Sequence, residues 1–119
     1  MDNSLKDKGP SKPVDISDET FNDEVMLSDM PVVLEFWSPE CGHCKKMAKV
    51  VDKLAAELAG RYKVAKVNIL ENAASPVIFG VSGVPAFFLI FDGKVKARTM
   101  GAIPKGRLKK DLGIHSHGG

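Results

Sequence analysis

The chain has 119 residues, 44% of them hydrophobic and 27% charged, with a formal net charge of +2. That length and apolar content suit one globular domain with a core of its own. The charge is too small and too interleaved to point to nucleic acid or an anionic membrane, and no apolar run approaches the ~20 residues of a membrane span.

Residues 1–13, "MDNSLKDKGPSKP", read as a disordered tail, with Gly9, Pro10 and Pro13 among charges. The stretch has no hydrophobic centre of the kind a secretory signal carries, so a cytoplasmic home is expected. A domain is expected over 14–112. "VDIS" fits a short strand. Ser17 or Asp18 reads as the N-cap of a helix reaching about Asp29, with Phe21, Val25 and Met26 on one side. "PVVLEFW", 31–37, is a nearly continuous apolar run and fits a central strand covered on both faces. From Cys44 the period changes. Met47, Val50, Val51, Leu54, Ala55 and Leu58 recur at helical spacing, with Lys45, Lys46, Lys49, Asp52, Lys53 and Glu57 on the other side, and Gly60 is a natural stop. "YKVAKVNI", 62–69, reads as a strand, about 72–79 as a weaker helix, and "FFLIF", 87–91, as a buried strand. Asp92-Gly93 is a hairpin signal leading into "KVKARTM". A last helix is expected from about Pro104 to Leu112, and "GIHSHGG", 113–119, as a flexible polar tail. Strands alternating with helices, closed by a hairpin, predict an α/β fold: a central mixed sheet with helices on both faces.

Both cysteines, Cys41 and Cys44, stand in "FWSPECGHCKKM", 36–47. A bridge between them would close so short a loop that it removes little entropy from the unfolded chain, and a domain with this apolar content needs no staple. A bond made and broken fits better. Structural zinc normally takes four ligands and one CxxC supplies two. His43 lies inside the motif, poorly placed as a third, and His115 and His117 stand far away in the tail, so no metal is expected. A c-type haem site needs His directly after the second cysteine, where Lys45 stands. A pair of inert buried thiols remains the bland alternative. The placement, at a strand end and a helix start, carries the chemistry. The first helical turn offers unpaired N–H groups and the positive end of the dipole, which favour the thiolate of Cys41, the nucleophile of thiol–disulfide exchange. Cys44, one turn in and more shielded, would resolve the mixed disulfide.

By these residues the chain resembles the thioredoxin family over roughly 14–112. "VVLEFW" is similar to the strand before the family's active site, "CGHC" has its spacing, "VAKVNI" is similar to the next strand, "GVPAFFLIFDGKV" to the segment with a cis-proline, and "GAIPKGRLKKDL" to the closing glycine loop and helix. The middle residues Gly42 and His43 resemble those of protein disulfide isomerases. The resemblance implies a thioredoxin fold and a monomeric thiol–disulfide oxidoreductase with no cofactor beyond the Cys41–Cys44 dithiol. It implies disulfide-containing protein substrates and a thioredoxin-reductase-like electron donor. A protein-disulfide reductase is the first expectation; a disulfide oxidase or isomerase, or a non-catalytic binding module, is the alternative. The resemblance makes Pro85 the cis-proline, presents the Val84 backbone to substrate, and lets a partner approach at Gly83 and Gly101. Glu35, an acid in an apolar strand, reads from the residues alone as a solvent-facing edge residue or a functional one. The resemblance places it under the site, helping to move the proton of Cys44, with Lys66 able to pair with it, and counts Gly42, His43, Trp37 and Lys66 as residues that tune the couple. His43 reads as a spacer or as a group that tunes the couple electrostatically. Two residues depart from the family pattern. Glu40 stands where a tryptophan usually precedes the first cysteine, and Lys49 where a proline usually bends the helix.

Overall fold

In the computed structural model, which describes residues 10–115, the apolar run after Pro31 is the middle strand of a five-stranded sheet. The elements in order are β1 (Val14–Asp15), α1 (Asn22–Met26), β2 (Val32–Trp37), α2 (Gly42–Leu58), β3 (Lys63–Asn68), α3 (Ala74–Ile78), β4 (Ala86–Phe91), β5 (Lys94–Met100) and α4 (Lys105–Leu112). The sheet order is β1-β3-β2-β4-β5. β2 pairs parallel with β3 and antiparallel with β4, so the sheet is mixed as expected.

Because β2 is central, both of its faces are covered and its alternation sorts the two cores. Val32, Leu34 and Phe36 face α1 and α3, with Phe21, Val25, Ala65 and Phe88. Val33 faces α2 and α4, with Met47, Val51, Leu54, Leu58, Phe87, Leu108 and Leu112. Phe79, just past α3, stacks edge-on against Phe21 and Phe88 at centroid distances of 5.3 and 5.2 Å and pins that helix to the sheet. The β4–β5 turn takes positive φ at both residues, Asp92 (56°) and Gly93 (71°), the geometry that matches strand twist. Among the described residues no helix is long and apolar enough to cross a membrane.

Three local expectations are corrected. The first helix is shorter than predicted and wound differently. Ser17 caps an opening turn, its Oγ accepting the Thr20 N–H at 3.3 Å while Thr20 Oγ1 accepts the Ser17 N–H at 3.0 Å. The chain then winds as a π-turn, the Leu27 N–H donating to Asn22 O at 2.9 Å, five residues back. Ser28 and Asp29 leave the helix because the Ser28 hydroxyl donates to Met30 O at 2.8 Å, and the residue before Pro31 disfavours helical geometry. Asp18 caps a different helix: its two carboxylate oxygens accept the N–H groups of Ala74 and Ser75, each at 3.0 Å, at the start of α3. The end of the chain is also not wholly polar tail. Gly113 takes the left-handed conformation (φ 72°), the Ile114 N–H donates to Lys109 O at 2.8 Å, and Ile114 is buried in the α2–α4 core. Residues 1–9 of the expected N-terminal tail and 116–119 of the C-terminal one lie outside the described residues.

Candidate active site

The site forms where β2 ends, at the carboxyl edge of the sheet, a usual place for reactive groups in α/β folds. After Trp37 the chain turns through Ser38-Pro39-Glu40, the Cys41 N–H donating to Ser38 O at 3.1 Å. Cys41 itself is the N-cap of α2, in extended geometry (φ −97°, ψ 117°). Its sulfur takes the part that Ser or Asp oxygen usually plays: the Cys44 N–H donates to Cys41 Sγ at 3.1 Å. The acceptor of a free N–H at the positive end of a 17-residue helix is thus the sulfur of a half-exposed cysteine. Both cysteines are free thiols. Cys44 is buried, only 4% exposed. Burial first, then the hydrogen bond and charge of Cys41 and the charge of Glu35, push its thiol up to about 12.

Opposite Cys41 lies the loop before β4. The Val84–Pro85 peptide bond is cis, and the Val84 carbonyl oxygen is 3.6 Å from Cys41 Sγ, which donates to it. Gly101 adjoins this loop, its N–H donating to Pro85 O at 2.9 Å, and its φ of 101° is a conformation that side chains avoid. A Cβ at Gly83 would lie 3.3 Å from the Met100 methyl, the tip of a flexible and half-exposed side chain that need give only a few tenths of an ångström.

Beneath the cysteines is Glu35, 2% exposed. Its strand is central, so the edge-strand reading does not apply. Burial raises its carboxyl to about 7, against the lowering field of Lys66, with a smaller raising contribution from Asp52. Lys66 is the register partner of Glu35 on β3. Its ammonium, however, makes no ion pair with that acid among the described residues; it sits over the Trp37 ring, 4.6 Å from the centroid. Glu35, Trp37, Cys44 and Lys66 together line a cavity of about 100 Å³, roomy enough for bridging water. Gly42 and His43 are exposed in the first turn of α2, and the imidazole makes no hydrogen bond among the described residues.

The structure therefore gathers Cys41, Val84, Pro85, Gly83 and Gly101 at one surface and Cys44, Glu35, Trp37 and Lys66 below it. Three neighbours escaped sequence reasoning. Ser38 supplies the turn carbonyl, Asp52 adds its field to Glu35, and Met100 covers Gly83. The only sequence signal for Met100 was an apolar residue next to Gly101; for Ser38, its place before Pro39. Among the described residues no three His, Cys, Asp or Glu side chains cluster as a metal site would require.

Comparison with known proteins gives one consistent result. A family model described as Thioredoxin matches residues 12–113. The chain is 43% identical to a thioredoxin of Haemophilus influenzae over 105 residues, 88% of this chain and 98% of that protein. It is 40% identical to a thioredoxin of Pseudomonas aeruginosa over 95 residues, 80% of this chain and 88% of that protein. It is 38% identical to thioredoxin 1 of a Nostoc species over 100 residues, 84% and 94% of the two chains.

Proposed function

The chain belongs to the thioredoxin family and is a thiol–disulfide oxidoreductase, and on that premise we propose that it reduces protein disulfides with Cys41 as the attacking thiolate and Cys44 as the resolving thiol. The observation that carries this assignment is the asymmetry of the pair. Cys41 Sγ is reachable and accepts a helix N-terminal N–H, whereas Cys44 is buried and held protonated.

Cys41 thiolate attacks one sulfur of the substrate disulfide. The substrate S–S bond breaks, a mixed disulfide forms, and the first substrate sulfur leaves as thiolate and takes up a proton. Substrate backbone lying beside Val84 and Pro85 positions that sulfur, in the manner of an added strand. Bonding of Cys41 to substrate removes the negative charge and the acceptor that oppose ionisation of Cys44. Its proton then passes to Glu35 through the shared cavity; a carboxyl near 7 accepts a proton at neutral pH and releases it again. Cys44 thiolate attacks Cys41 Sγ, the second substrate thiol is released, and two electrons have moved from the protein dithiol to the substrate.

Lys66 limits the cost of charge on Glu35 and holds Trp37 in place by its stacking. Gly83 and Gly101 add no side chain next to Val84 and Pro85, so substrate backbone can approach there. The protein acts as a monomer, needs no group beyond its dithiol, and is returned to the dithiol form by a reductase. A protein that works as a dithiol must itself be kept reduced, and the reducing cytoplasm suits that reading. The test is reduction of insulin disulfides with a small dithiol as electron source. Catalysis above the uncatalysed rate is expected; a rate equal to it would favour a binding module that merely shares the fold.

A further inference from the structure

The exposed side of α2 carries a charge pattern that the reaction does not use. Gly42, Lys45, Lys46, Lys49 and Lys53 are spaced i, i+3, i+4, i+7 and i+11, one stripe opposite the buried Cys44, Met47, Val51, Leu54 and Leu58. All four lysines are exposed. None forms an ion pair among the described residues, whereas Lys63, Lys105, Arg107 and Lys109 all do. The nearest acids in sequence are fewer than the lysines and offset the stripe only in part. Glu57 is engaged by Lys105 and Lys109 from α4, and Asp52 and Glu40 stand exposed and unpaired among the described residues.

Two rules of helix electrostatics are broken here. Lys45 and Lys46 sit near the positive end of the dipole, in a helix with no acid in its first turn. Lys45–Lys49 and Lys49–Lys53 are like-charge i,i+4 pairs, each destabilising by about 0.2–0.5 kcal/mol. Asp52, at i+3 from Lys49, offsets this only in part, and no ion pair among the described residues does so. Lys45 is close enough to support the Cys41 thiolate. Lys49 and Lys53 are not: at 1.5 Å per residue they stand about 12 and 18 Å along the axis from Cys41, beyond the screening length of about 8 Å at physiological salt. Their fields reach a partner lying along the helix instead.

We propose that the lysine stripe of α2 is a docking rail that selects disulfide-bearing protein substrates with an acidic patch about 10–20 Å from the disulfide. The proposal rests on the reductase reading and adds the substrate class to it.

The test uses three synthetic peptides with the same disulfide loop and a tail starting five residues from it, about 16 Å when extended. The tails are four Glu, four Gln or four Lys. With a neutral dithiol as electron source, kcat/KM for the Glu tail is expected to exceed that for the Gln tail about tenfold at low salt, with the Lys tail lowest. In the double variant Lys49→Gln, Lys53→Gln the preference falls to about twofold or less, as it does for the unchanged protein in about 0.5 M NaCl. At about 0.15 M salt, reduction of the Gln-tailed peptide and iodoacetamide labelling of Cys41 stay within about twofold of the unchanged protein, since both residues then lie beyond a screening length from the sulfur. Equal kcat/KM for the three tails, or a Glu preference that survives in the double variant, would overturn the rail while leaving the reductase reading intact. Reduction of none of the three peptides would overturn both.

Discussion

Glu35 stands in the least favourable place for a charge, an interior strand position 2% exposed with no ion pair among the described residues. Its carboxyl titrates near 7 in the fold against 4.5 for an unburied glutamate. Below pH 4.5 it is protonated in both folded and unfolded chains and costs little. As pH rises from 4.5 to 7 the unfolded chain ionises first, so stability falls, reaching a constant loss of roughly 3 kcal/mol above pH 7. Glu35→Leu should therefore unfold at higher urea than the unchanged protein at pH 8, with a much smaller gain at pH 4. It should also slow insulin reduction by about tenfold or more, since the proton acceptor is gone. A destabilised variant with unchanged turnover would make Glu35 a structural residue. Beside it, Cys44 is buried and held as a thiol. In the reduced protein at neutral pH, iodoacetamide should label Cys41 more than about tenfold faster than Cys44, measured by mass spectrometry of tryptic peptides; equal rates would contradict the assignment. If His43 tunes the couple, it does so through its dipole and field, since its ring makes no hydrogen bond among the described residues. Proline at that position has neither. If the interaction is worth about 1.4 kcal/mol, His43→Pro should lower the reduction potential by about 30 mV, read by equilibration against glutathione. An unchanged potential would show that His43 does not set the couple and that the isomerase-like motif is nominal.

The elements differ in how far their residues announced them. β2 and α2 were legible because each has one unbroken period and clear ends, and these two elements with the N-cap of α2 carry both cysteines and Glu35. The Asp92-Gly93 turn was legible because few residue pairs accept positive φ twice. α1 was misread because local side-chain bonds from Ser17, Thr20 and Ser28 compete with the backbone, which periodicity alone does not weigh. Asp18 was misread for a related reason: a cap signal names a donor set but not which helix supplies it. Its carboxyl is opposed by burial, yet the Ala74 and Ser75 N–H groups outweigh that and hold it below its ordinary value. A depressed acid stabilises the fold above its unfolded pKa, and that contribution is lost as pH falls through the folded value. Asp18→Ala should cost about 1 kcal/mol at pH 7, with the difference shrinking in acid. Loss of helix α3 by amide exchange at Ala74 and Ser75 should accompany it. An unchanged denaturation midpoint at pH 7 would mean that the pinning of Phe79 alone secures α3.

At the scale of the whole molecule, the fold and the surface half of the site were readable because the pieces that build them are short, ordered motifs: "EFW", "CGHC", "GVP" and "GAIP". The half beneath was less so. That Glu35 is buried depends on β2 being central, which strand composition suggests but only the pairing of β3 and β4 decides. That Lys66 lies over Trp37 and leaves Glu35 without a salt bridge depends on side-chain direction, to which sequence spacing is blind. The mechanism divides the work between two sulfurs: Cys41 attacks and Cys44 resolves. Its most direct test is capture of the intermediate with Cys44→Ser, by mixing the reduced variant with insulin and measuring intact mass without reductant. An adduct of one insulin molecule is expected, its two chains still joined by the other interchain disulfide, mapped to Cys41 and released by dithiol, with no such adduct for Cys41→Ser. An adduct of similar yield on Cys44 in the Cys41→Ser variant, or none on Cys41 in Cys44→Ser, would contradict this division of work.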